Sequence, residues 1–73
     1  MIAKNIRMIR RKRGYRSAAA LCAALCIDGY ECSVSLVKSW EAGINAPSLI
    51  AISALCDVLH VTADALLFGE QGP

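Results

Sequence analysis

Four interruptions limit what this chain can build: Gly14, Asp28-Gly29, the span from Gly43 to Pro47, and the span from His60 to Thr62. Each combines residues that end or turn a regular backbone, and the stretches between them are short. Between the breaks the apolar residues recur with a helical period. Ile2, Ile6 and Ile9 mark residues 2–13 as an amphipathic first helix stopped by Gly14. Ser17 is placed to cap a second helix from Ala18 to Cys26, with Leu21 and Leu25 on its inner stripe. Ser33 caps a third, running to Trp40 or Glu41, with Leu36, Val37 and Trp40 facing inward. Pro47-Ser48 opens a fourth through "LIAISALCDVLH", whose expected buried stripe is Leu49, Ile52, Cys56 and Leu59. Thr62 caps a short last helix, "ADALLFG". No strand-like alternation survives a count, and "CIDGYECSV" reads as a turn-rich loop.

Composition fits this pattern. Hydrophobic residues make up 56% of the chain but aromatics only 5%, so the core is drawn from Ala, Leu, Ile and Val, which suits closely spaced helices. At 73 residues the expectation is one all-α, five-helix domain over residues 1–73, with a short tail from about residue 70. Binding by an exposed surface is the default for so small a unit. The longest apolar run, Ala18 to Ile27, is about half of what crosses a bilayer, and it suits neither a span nor a signal peptide. A cytoplasmic location follows as an expectation, with the cysteines reduced.

Charge is distributed unevenly. Lys4, Arg7, Arg10, Arg11, Lys12, Arg13 and Arg16 supply seven of the eight basic residues, and no acid interrupts them. The first 16 residues therefore carry a formal +7 and the remainder −5, with Lys38 alone set against six acids. That asymmetry points to an anionic partner near one end; a solvated basic face is the alternative. Lys4, Arg7 and Arg11 lie at i, i+3 and i+7 on one helical face and are open to the same two readings.

Three segments together resemble the lambda-repressor-like helix-turn-helix proteins, the group called Cro/C1-type or XRE-type. They are "NIRMIRRKRG", then "SVSLVKSWEAGINAPS" with its W-E-x-G-x-x-x-P-S pattern, then "LIAISALCDVLHVTADALLFGE". The resemblance covers almost the whole chain and implies a DNA-binding domain whose recognition helix, about residues 33–41, enters the major groove. It implies Ser33, Val34, Ser35, Lys38 and Ser39 as base-reading residues, and Lys4, Arg7, Arg11, Arg16, Ser17 and Asn45 as phosphate contacts. Arg10 and Glu41 are implied as a structural ion pair, because a shielded charge needs a partner and Arg offers a bidentate one. The loop from Gly43 to Pro47 is expected to present backbone N–H groups to phosphate. The last helix is implied as a dimer surface, with Leu66, Leu67 and Phe68 as candidates, one of which at least must also close the core.

This chain departs from the family pattern in three ways. Ala18 stands where the family usually has a Gln that touches phosphate. The turn between the second and third helices is enlarged. The outer face of the third helix lacks Arg, Gln and Asn, the side chains best able to make bidentate contacts to base edges. Val34 is suited to a thymine methyl, and affinity is expected to lean on phosphates and DNA shape.

The function expected is therefore a sequence-specific double-stranded DNA-binding regulator, a repressor acting as a homodimer in the cytoplasm, on the nucleoid. The alternative is a protein-interaction module, an antitoxin or phage-control subunit, that keeps the fold with little or no base reading. No enzyme constellation, cofactor motif or small-molecule site is legible. Cys22, Cys26, Cys32 and Cys56 match no common zinc pattern and read as small buried thiols in an Ala-rich core, with no metal. His60 reads as a helix-end residue, and Tyr30 as a candidate contact on the long turn.

Overall fold

A computed structural model describes residues 2–69; the tail expected from about residue 70 lies outside the described residues. Five helices run in order: α1 Ile2–Lys12, α2 Ala18–Ile27, α3 Val34–Glu41, α4 Leu49–Leu59 and α5 Ala63–Phe68. Among the described residues there is no strand. Helices this short are marginal alone, so packing must hold them. α1 packs against α3 and α5, α2 against α3 and α4, and α4 against α5. The Cα radius of gyration is 10.9 Å, close to the roughly 11 Å expected of a compact chain of this length.

The helix starts follow from chemistry that the sequence displays. Ser17, Ser33, Ser48 and Thr62 each sit in extended backbone, and each side-chain oxygen accepts a hydrogen bond from the N–H three residues on, at 3.1–3.2 Å. α2 ends with Gly29 at φ +100, its N–H bonded to the Cys26 carbonyl, while the N–H of Tyr30 reaches the Leu25 carbonyl. This paired closure needs a left-handed residue, which is why a glycine follows the C-cap Asp28 at the start of the turn. The enlarged turn expected between α2 and α3 is present and spans residues 28–33. α4 closes on His60 instead, at φ 55, the one non-Gly residue with positive φ among those described.

Ile6, Leu21, Leu25, Val37, Leu55, Leu59 and Leu66 are fully buried around Trp40. Burying one such side chain contributes about 1.5–3 kcal/mol. The expected stripe of α4 needs correction. Leu49 is 85% exposed and Ile52 and Cys56 only half-buried, while Ala51, Ala54, Leu55, Val58 and Leu59 form the buried face. The helix is apolar nearly all round, so hydrophobic period alone did not select its inner face. In α3, Val37 and Trp40 are buried as expected and Leu36 is half-buried.

Two polar side chains of the α1 segment satisfy the ends of other helices. Asn5 Nδ2 donates to the Leu66 carbonyl of α5 at 3.0 Å, and Arg13 Nε donates to the Leu59 carbonyl at the end of α4 at 2.8 Å. A cation at a helix C-terminus also meets the negative end of its dipole. Arg13, counted by sequence within a basic face, thus has a structural bond.

No helix of the described residues is long and apolar enough to cross a membrane.

Candidate nucleic-acid interface

α3 is held between an indole and an ion pair. Trp40 is 2% exposed, and Val37 lies beside it in the core. The next residue after Trp40, Glu41, accepts two hydrogen bonds from Arg10 of α1, from Nε at 2.8 Å and from Nη2 at 3.0 Å. The third arm of the fork, Nη1, donates to the Tyr15 carbonyl at 2.9 Å. The side chains are 5% and 11% exposed, so this is a shielded bidentate pair, and each of the three guanidinium nitrogens makes a hydrogen bond. It fixes the C-terminal end of α3 to α1 and the chain after it.

That end is closed by Gly43 at φ +75, whose N–H bonds the Trp40 carbonyl while the N–H of Ile44 bonds Ser39. A Cβ on Gly43 would meet Ala3 Cβ at 3.9 Å, an ordinary contact, so the backbone conformation selects glycine here and crowding does not. The N–H of Asn45 also returns to Ser39, at 3.3 Å. The expectation that this loop offers its amides to phosphate therefore fails for Gly43, Ile44 and Asn45, because α3's own last carbonyls take them. The Asn45 residue itself is exposed.

With its inner side fixed, α3 leaves Ser33, Ser35 and Lys38 exposed, and Val34 and Ser39 half-buried. Ser33 Oγ accepts from the Leu36 N–H in the N-cap and keeps its own proton to donate, whereas Ser39 Oγ donates to the Leu36 carbonyl at 2.6 Å. Ser35 and Lys38 are thus the most open of the five side chains singled out by sequence. Lys4, Arg7, Arg11, Arg16 and Ser17 are all exposed. Ser17 Oγ accepts from the Ala20 N–H at 3.1 Å and keeps its own proton to donate.

Leu66 is fully buried and is removed from the dimer-surface set. Leu67 and Phe68 are exposed, Phe68 at 65%. Tyr30 is half-buried, its ring centroid 6.3 Å from that of Trp40 and tilted at 40°, so it supports the core from the turn.

The cysteines fit the expected picture of small buried thiols only in part. Cys22 is buried, Cys26 exposed, Cys32 and Cys56 intermediate. The sulfurs of Cys22, Cys26 and Cys32 lie within 4.8 Å of one another. Burial first, then hydrogen bonding and charge repulsion from Cys22 and from Cys26, push the Cys32 thiol up to about 12. The available signal was Cys22 and Cys26 one helical turn apart, with Cys32 returned by the turn that Gly29 permits. The ties made by Asn5 and Arg13 had no comparable signal, since they reach helix ends distant in sequence.

No protein-family model matches the chain, no curated protein matches its sequence, and no solved structure matches its fold.

Proposed function

We propose that this chain is a lambda-repressor-like helix-turn-helix domain that binds double-stranded DNA, a homodimeric repressor reading its site with the outer face of α3. The observation that carries the reading is the anchoring of α3. Val37, Trp40 and the Arg10–Glu41 pair hold one side rigidly, while Ser33, Ser35 and Lys38 stand clear on the other. A slim outer face of small and polar residues suits the width of a major groove. Lys4, Arg7, Arg11 and Arg16 supply exposed positive charge from the α1 segment, and with so few base-reading donors the phosphates contribute most of the affinity.

Titrating labelled duplex at two salt concentrations tests this. Log affinity is expected to fall against log salt with a slope of about −0.9 for each phosphate neutralised. Salt-insensitive binding, or no binding at concentrations on the order of tens of micromolar, contradicts it.

A second reading, a protein-interaction module, is favoured by the exposed apolar residues Ile44, Leu49 and Ile50, which run from the end of α3 into α4. Combining Lys38→Glu with Arg11→Glu separates the two. Charge reversal abolishes binding under the DNA reading and leaves partner capture intact under the other.

A further inference from the structure

The three clustered thiols are outside the proposed DNA-binding surface, and their arrangement is that of a ligand set. Cys22 and Cys26 share one face of α2, one turn apart. The turn over residues 28–33 folds back so that the Cys32 carbonyl accepts from Cys22 Sγ at 3.3 Å and from Cys26 Sγ at 3.5 Å. Cys32 Sγ in turn approaches Cys22 Sγ at 3.7 Å. All three sulfurs fall within 4.8 Å of one another, and no His or carboxylate joins the group among the described residues.

We propose that Cys22, Cys26 and Cys32 form a metal site that binds one thiophilic d10 cation of the zinc or cadmium class as three thiolates. The distances carry the argument. A zinc–sulfur bond of about 2.3 Å puts ligand sulfurs about 3.8–4.0 Å apart in tetrahedral or trigonal geometry. The 3.7 Å separation of Cys22 and Cys32 already meets that, and no other pair exceeds 4.8 Å, a difference that side-chain rotation closes. A sulfur-only donor set selects soft ions over magnesium or calcium. Binding releases up to three protons to solvent and involves no oxidation, and positive charge between the sulfurs replaces the repulsion among thiolates with attraction. Cys26 is exposed, so an ion can enter from its side and a water can complete the coordination there. Core filling does not account for the cluster, because an exposed thiol contributes little to a core. A disulfide does not account for it either, because that would use two sulfurs and strand the third. The bound ion would tie α2 to the residue before the N-cap of α3, whether or not the domain binds DNA.

The test is a titration of the metal-free, fully reduced protein with Cd(II) under argon, followed by competition with Zn(II). Thiolate-to-metal charge-transfer absorption reports ligation and native mass spectrometry reports stoichiometry. One ion per chain is expected. Cys22→Ser, Cys26→Ser and Cys32→Ser should each weaken binding by at least about a hundredfold, the upper end of what losing even an outer-shell partner costs. Cys56→Ser should bind as the unaltered protein does, since Cys56 is not part of the cluster. Cys26 is exposed, so Cys26→Ser keeps its fold, with an unchanged far-UV circular dichroism spectrum, and it decides the case if the Cys22 variant does not fold. Absence of the charge-transfer band, binding by Cys26→Ser equal to that of the unaltered protein, or an ion shared between two chains overturns the proposal.

Discussion

Arg10 is 4% exposed and makes three side-chain hydrogen bonds, two to Glu41 and one to the Tyr15 carbonyl. Removing one partner of such a pair leaves a shielded charge uncompensated, which costs about 3–5 kcal/mol. Glu41→Ala is therefore expected to destabilise the domain by about 3 kcal/mol in urea unfolding, with a fall in Tm of about 4–8 °C for each kcal/mol. Arg10→Met combined with Glu41→Leu should recover most of that loss, because no charge then remains to be solvated. An opposite effect is expected at His60, which occupies a left-handed conformation at φ 55 where a Cβ is unfavourable. His60→Gly removes a penalty of about 1–2 kcal/mol and adds some unfolded-state entropy, for a net stabilisation of about 0.5–1 kcal/mol by the same assay. The Arg10–Glu41 contact was legible in the sequence because both residues belong to a pattern with an assigned role. The bonds of Asn5 and Arg13 to helix ends were not, because nothing local marks which distant carbonyl will lack a partner.

At the level of elements, the helix starts were the most legible part of the fold. A Ser or Thr before an apolar run is a local signal: the three expected caps, Ser17, Ser33 and Thr62, form, and Ser48 caps the helix start expected at Pro47-Ser48. The inner face of α4 was the least legible. A helix with few polar residues has no solvent side written into it, and Ala51 and Ala54 are buried for their smallness while Leu49 and Ile50 are exposed. Within α3 the structure separates roles that the sequence left together. Ser33→Ala removes an N-cap and should cost about 1 kcal/mol of stability, whereas Ser35→Ala, exposed and without a capping role, should change stability by less than about 0.5 kcal/mol. Thermal unfolding of the two variants checks both values. If Ser35 reads DNA as proposed, Ser35→Ala weakens binding while leaving the fold untouched. The thiol cluster depends on the same α2–α3 turn. Its third member comes from the far side of a break, and for that reason spacing rules for metal ligands did not register it.

Across the whole molecule, the described residues form a five-helix unit with one core, in which α1 contacts both α3 and α5. The proposed dimer would use the exposed part of α5, with Leu66 closing the core beneath it. Leu67→Asp together with Phe68→Asp should shift sedimentation from dimer to monomer without changing helix content, since both positions are on the surface. An unaltered protein that sediments as a monomer at every concentration removes the homodimer from the proposal. The most direct measurement of DNA reading is a residue-resolved one, in which amide NMR shifts of the isotopically labelled protein are followed as a duplex selected from random sequence is added. Perturbations concentrated at Ser33, Ser35 and Lys38, with further shifts at Lys4, Arg7 and Arg11, are the expected result. Saturating shifts confined to α4 and α5, or no shifts in α3 at all, would contradict the claim that the outer face of α3 enters the groove.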